Sequence, residues 1–223
     1  GLIYNIEINE SFENLTENIE LVNNTFNGIT NCACLLNIID DIDLRNCTIM
    51  NCQGIEKNCP PLFEINIKNN EITQFSINSL TFINNNYNNL DVQRWMNGGG
   101  SGFAINYENF EELDKEIFLI FNDCRFISNV AESYGGAFAF IESSYSENKK
   151  TSITFENCYF KDNSCKENKG NSLYIENCIK EIIISKCHFV SDEIESIKSN
   201  EDFTKCSSIY IEGKTSVTNS LVI

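Results

Sequence analysis

The sequence predicts an all-β fold, a single domain over residues 1–223 built as a single-stranded parallel β-helix (solenoid) of about six coils with irregular loop insertions. Three observations carry this prediction. Apolar anchor residues recur in a fixed register along the chain. The stretch Gly135-Gly136-Ala137-Phe138-Ala139-Phe140 alternates large and small side chains with a period of two, as a strand with one buried face does. Finally, there are only 2 prolines, Pro60 and Pro61, against 34 asparagines. Central strands need their N–H groups, and Asn tolerates the left-handed backbone that sharp bends between strands require.

The register is defined by the anchors Phe26, Ile49, Phe82, Phe126, Phe160 and Phe189. Five residues before each stands an apolar residue: Leu21, Leu44, Ile77, Phe121, Phe155 and Ile184. Seven before stands another: Ile19, Ile42, Phe75, Leu119, Ile153 and Ile182. Three before stands Asn23, Asn46, Ser79, Asp123 or Asn157, small and polar, with Lys186 the exception. Two before is Cys47, Cys124, Cys158 or Cys187, and three after is Asn85, Asn129, Asn163 or Asp192, with Ile29 and Cys52 in the first two coils. A second column follows, with the apolar pairs Leu36/Ile38, Phe63/Ile65, Phe103/Ile105, Phe138/Phe140, Leu173/Ile175 and Ile209/Ile211. Anchors lie 23 to 44 residues apart, so loops of unequal length decorate a constant unit. An antiparallel sandwich would also show many short strands, but it predicts tight hairpin turns rather than like residues recurring in register.

In chain order, residues 1–18 are acidic and amidic, with Ile3, Ile6 and Ile8 as an edge strand or the end of a preceding coil. Coils follow from Ile19, Ile42, Phe75, Ile117, Thr151 and Lys180, and Val217 to Ile223 reads as the first strand of a further coil. The insertion at 86–100 holds Trp95 and then Gly98-Gly99-Gly100. The glycine run lacks the Lys-Ser/Thr of a phosphate loop and falls in the glycine column of the repeat, which makes it structural. Trp95 is the candidate interaction-loop residue, a contact for protein or glycan or else the pin of its own loop. Stacked anchors Phe82, Phe126, Phe160 and Phe189 are expected to form the axial core.

A net charge of −16 repels a phosphate backbone, so no nucleic-acid partner is expected. No apolar run is long enough to span a membrane. There is no initiator Met and no signal-like start, and the segment is expected to belong to a longer chain. The 11 cysteines lack paired zinc spacing and His188 is the sole histidine, so no metal site and no cofactor is expected. Cysteine density and the sequons at Asn9, Asn14, Asn23 and Asn46, all glycosylation candidates, point to an oxidising, secreted or cell-surface setting. Cys32, Cys34, Cys47, Cys52, Cys59, Cys124, Cys158, Cys165, Cys178, Cys187 and Cys206 are all disulfide candidates, an odd number. Stacked cysteines about 4.8 Å apart lie within bridging distance but in an awkward orientation, so loop-to-coil bridges are preferred over bridges within a column. Buried Cys can equally act as a small apolar side chain.

The pairing of Phe-x-x-Asn with Gly-Gly-Ala-apolar resembles the repeats of the polymorphic outer membrane proteins, autotransporter adhesins of bacterial pathogens. Similar repeats occur in surface proteins of protists. The matching segments are Phe82-Ile83-Asn84-Asn85, Phe126-Ile127-Ser128-Asn129, Phe160-Lys161-Asp162-Asn163 and Gly135-Gly136-Ala137-Phe138, and the full two-part motif occurs once, in the fourth coil. The resemblance implies a right-handed parallel β-helix at a cell surface, used for adhesion, and it supplies no catalytic residue. The Asn content and the sequons look more like a protist chain than a bacterial one.

The functional expectation is an extracellular structural or adhesive solenoid, not an enzyme. Its partners would be copies of itself stacked end to end into a filament, or a cell-surface protein or glycan. The alternative is a polysaccharide lyase or glycoside hydrolase. That chemistry needs clustered carboxylates beside a cation, for which Asp40, Asp41 and Asp43 with nearby Arg45 are the candidates. His188 is expected to face solvent, and Glu111, Glu112 and Asp114 to form a solvated loop.

Overall fold

The computed structural model describes residues 4–6, 19–30, 34–38, 42–54, 63–67, 74–87, 103–107, 116–132, 134–141, 151–165, 170–190, 209–218 and 221–222. Among these residues the protein is all-β, with no helix. Seven strands form the first sheet in chain order: Thr25–Asn27, Thr48–Met50, Thr81–Ile83, Arg125–Ile127, Tyr159–Lys161, His188–Val190 and Leu221–Val222. A second sheet runs through Ile19–Val22, Ile42–Arg45, Gln74–Asn78, Ile117–Asn122, Thr151–Glu156 and the long strand Leu173–Ser185, which also pairs with Phe138–Ile141 and Ile209–Thr218. The third sheet is short: Gln53–Gly54, Asn86–Tyr87, Val130–Ala131 and Ser164–Cys165. The fourth holds Tyr4–Ile6, Cys34–Ile38, Phe63–Ile67 and Phe103–Tyr107.

Except for Phe138–Ile141 and Thr151–Glu156, both in the second sheet, strands that follow one another in the chain belong to different sheets, and each strand pairs with its counterpart one repeat away. Every described pairing is parallel. The antiparallel sandwich fails on this point, because hairpins can join only antiparallel strands.

In the first sheet Phe26 pairs with Ile49, Ile49 with Phe82, Phe82 with Phe126, Phe126 with Phe160 and Phe160 with Phe189. All six are buried. The rings of Phe126 and Phe160 stack at 5.1 Å between centroids and those of Phe160 and Phe189 at 4.5 Å, whereas Phe82 is tilted against Phe126 at 6.3 Å. From the second sheet Ile77, Phe121, Phe155 and Ile184 form a parallel buried column, and Phe121 and Phe155 stack at 4.9 Å. Phe138 closes against both rings edge-on. Each such side chain stabilises by about 1.5–3 kcal/mol through the apolar area it withdraws from water.

Two columns of left-handed residues turn the chain between sheets. Asn23, Asn46, Ser79, Asp123, Asn157 and Lys186, with φ from 53° to 59°, stand between the second sheet and the first. Asn51, Asn84, Ser128 and Asp162, with φ from 51° to 55°, and Gly28 stand after the first sheet. This conformation crowds a Cβ against the backbone, which Asn, Asp and Gly bear best. The corner amides stay paired: Asn46 N–H donates to Asn78 O, Asp123 N–H to Glu156 O, and Asn157 N–H to Ser185 O. The hydrogen-bond ladder therefore runs through the bend instead of breaking at it.

Gly135 and Gly136 are required for different reasons. Gly135 has φ +57°, and a Cβ there would sit 2.2 Å from Phe138 O. A Cβ on Gly136 would lie 2.4 Å from both Asn171 O and Ser164 O of the next repeat. The glycine motif is thus a close approach between repeats, and Ala137 follows it fully buried.

Just inside the second corner column lies a buried ladder of asparagines. Asn129 Nδ2 donates to Phe82 O at 2.9 Å and to Asn163 Oδ1 at 3.0 Å, while its Oδ1 accepts from Asn85 N at 3.1 Å and Asn85 Nδ2 at 3.0 Å. Asn85 and Asn163 repeat the pattern toward Ile49 O and Phe126 O. Cys52 takes this place in the second repeat, its N–H donating to Asn85 Oδ1 at 3.0 Å. In the Phe-x-x-Asn segments, then, the Phe belongs to the aromatic column and the Asn to the ladder.

Candidate functional site

Strands of the first sheet bury only their middle residue, so the flanking positions face outward. The outward column before the anchors reads Thr25, Thr48, Thr81, Arg125, Tyr159, His188 along the sheet. Three small β-formers give way to a guanidinium, a phenol and an imidazole on adjacent strands. Beside them runs the corner column Asp123, Asn157, Lys186. Arg125, Tyr159, His188 and this corner column, with Ile127 and Cys158, line an open groove of about 520 Å³.

Local contacts shape the groove. Asn157 Nδ2 donates to Asp123 Oδ1, joining two successive corners. Lys186 Nζ meets Glu156 Oε1 at 3.1 Å, both side chains being about half exposed. The rings of Tyr159 and His188 lie 6.5 Å apart, inclined at 45°. Tyr159 is half-buried, while Arg125 and His188 are exposed. Among the described residues the Arg125 guanidinium makes no hydrogen bond or ion pair. In a chain of net charge −16, this face presents Arg125 and Lys186 against Asp123. Such a surface can hold an anionic group on the guanidinium, pack an aliphatic ring face on Tyr159 and hydrogen-bond polar groups through Asp123 and Asn157.

The residues singled out from the sequence are dispersed. Asn23 and Asn46 lie exposed at the first corner column, while Asn9 and Asn14 lie outside the described residues. Trp95, the Gly98–Gly100 run, Glu111, Glu112 and Asp114 also lie outside them. Of the carboxylates considered for sugar cleavage, Asp40 and Asp41 lie outside. Asp43 stands on a strand opposite Glu20, and Arg45, exposed, opposite Val22. Among the described residues no three of His, Cys, Asp and Glu are grouped so as to hold a metal ion.

The cysteines of the repeat column are unbridged, and the loop-to-coil bridges expected from the sequence involve residues outside the described ones. Cys47, Cys52, Cys124, Cys158, Cys165 and Cys187 are buried free thiols. Cys32, Cys59 and Cys206 lie outside the described residues, and Cys34 and Cys178 are placed on strands by their backbone alone. In the parallel column of Cys124, Cys158 and Cys187 all side chains point the same way, and the sulfurs meet backbone carbonyls as well as one another. Cys158 Sγ lies 3.3 Å from Phe121 O and from Glu156 O; Cys187 Sγ lies 3.4 Å from Phe155 O and 3.3 Å from Ser185 O. Cys158 N–H points at Cys187 Sγ at 3.4 Å. The hydrogen bond to the neighbouring thiol of Cys124 pushes the Cys158 thiol far above the ordinary range, and the hydrogen bond with Cys158 followed by burial does the same to Cys187. Burial raises Cys47 and Cys52 as well. These thiols are unreactive core residues.

Sequence reasoning missed the groove. Its signal lies one residue before each anchor, where the column changes from Thr to Arg, Tyr and His.

No helix among the described residues is long and apolar enough to cross a membrane. Comparison with protein-family models, with curated proteins and with solved structures finds no match.

Proposed function

We propose that the four sheets are faces and continuations of one right-handed, single-stranded parallel β-helix, and that the protein is an adhesive scaffold displayed at a cell surface. The observation that carries this reading is the in-register recurrence of the buried columns, with outward positions left free to vary from repeat to repeat. Such an architecture stabilises itself from within and leaves a long outer face for recognition. The likeness to polymorphic outer membrane protein repeats supports the same role, since its Phe, Asn and Gly positions are those with a packing reason here. Exposed sequons at Asn23 and Asn46 support a secreted setting. The free thiols withdraw part of the cysteine argument for it, because six of them need no oxidant.

Self-association is the second element of the proposal. Among the described residues Thr25–Asn27 is an edge strand of the seven-stranded sheet, and an exposed parallel edge can accept another strand. Light scattering and electron microscopy of the purified protein, with an adhesion assay on immobilised cells, test both elements. Filaments or saturable adhesion are expected; a strictly monomeric protein that adheres to nothing refutes the reading.

A further inference from the structure

We propose that the outward groove at Arg125, Tyr159 and His188 is a binding site for an acidic saccharide, a chain of sugar units carrying carboxylate or sulfate groups. This deepens the adhesive reading and rests on it. The internal repeat supplies the control: the three preceding positions of the same column are Thr25, Thr48 and Thr81, so the fold does not ask for Arg, Tyr and His there. Arg125 offers a planar fork with no partner among the described residues, matched in shape to a carboxylate or sulfate. Tyr159 offers a ring face to the C–H face of a sugar. Asp123, tied to Asn157, accepts hydrogen bonds and therefore wants hydroxyl donors.

An acidic peptide would gain affinity by adding to a free strand edge. Here Arg125–Ile127 and Tyr159–Lys161 are paired on both edges, so no ladder is open to it. Parallel strands are spaced about 4.8 Å apart, so Arg125, Tyr159 and His188 are presented as successive steps along an extended ligand.

Isothermal titration of the full chain with an oligogalacturonate, a heparin-derived sulfated oligosaccharide and a neutral cello-oligosaccharide tests the proposal. The expected result is saturable binding of at least one acidic probe, and the stronger of the two identifies carboxylate or sulfate. The neutral probe should bind roughly tenfold more weakly or worse, as should the acidic probe to Arg125→Ala. Tyr159→Ala should weaken binding severalfold, Arg125→Lys should recover only part of the affinity, and Thr48→Ala should leave it unchanged. All variants should unfold at the wild-type denaturant midpoint. Equal binding of neutral and acidic probes, an unaffected Arg125→Ala, or no binding at all overturns the site. Adhesion to cells that survives Arg125→Ala overturns this inference while leaving the adhesive reading intact; saccharide binding by a protein that adheres to nothing does the reverse.

Discussion

Replacing Asn129 probes the buried ladder most directly. Its amide is fully buried and makes four hydrogen bonds, donating to Phe82 O and Asn163 Oδ1 and accepting from Asn85 N and Asn85 Nδ2. In Asn129→Ala, Asn85 Nδ2 keeps Ile49 O, and Asn163 Oδ1 keeps the Asn129 N–H. Asn85 N–H and Phe82 O lose the side-chain partners they have in the ladder. The buried Asn85 N–H left short predicts a loss of about 1–3 kcal/mol. Asn129→Asp separates the donors from the acceptors. It keeps the oxygen facing Asn85 but sets a second oxygen against Phe82 O and Asn163 Oδ1. Only the protonated acid can donate there, so its folded-state pKa should rise above that of the unfolded chain. Stability of this variant should therefore be lowest at neutral pH and recover as pH falls toward about 4, opposite to the usual acid destabilisation of carboxylates. Urea denaturation followed by far-ultraviolet circular dichroism, at neutral and acid pH, measures both variants. A loss under about 1 kcal/mol for Asn129→Ala, or an Asn129→Asp variant indifferent to pH relative to wild type, would refute a register held by the ladder.

Phe126→Ala should cost about 3–5 kcal/mol in the same assay, because the ring is fully buried between Phe82 and Phe160 and its neighbours, packed in stacks, cannot collapse into the gap. Lys186→Gly should raise stability by about 1 kcal/mol, since Lys186 holds φ 54° and gives up only a half-exposed contact with Glu156; a loss would show that the ion pair outweighs the backbone strain. The thiols of Cys47, Cys52, Cys158 and Cys187 ionise less readily in the fold than in the unfolded chain. Below about pH 8.5 both states keep these protons and stability is unaffected. Above it the unfolded chain releases protons that the fold retains, so stability should fall as pH rises, and Cys158→Ala should flatten the slope. A thiol reagent should label these six thiols only after denaturation; peptide mapping that finds any of the six rapidly labelled in the native protein would contradict their burial.

Much of the interior was legible because the fold restricts residue type there. An anchor must be apolar, so Phe82, Phe126, Phe160 and Phe189 mark their own register. A left-handed corner prefers Asn, Asp or Ser, so the column from Asn23 to Asn157 shows itself. Lys186, an exception by residue type, adopts the same φ because the strands on either side impose the bend. The second corner column, Gly28 to Asp162, is just as polar, and of it the sequence marks only the Asn27-Gly28 turn. Alternation within single strands was clear, whereas nothing in Cys124, Cys158 or Cys187 as letters separates a bridge from a core thiol.

By itself the sequence determined the residue classes that recur, their spacing and the all-β character, because these depend on local sterics and on which side chains leave water. Only the tertiary structure decided which carbonyl each buried amide and thiol meets, why Gly136 tolerates no Cβ, and that Arg125, Tyr159 and His188 share one outward face. Those facts depend on how positions some 30 residues apart are brought within a strand's spacing of each other. Distances and directions at that scale come from the parallel pairing of the strands and are written in no single repeat.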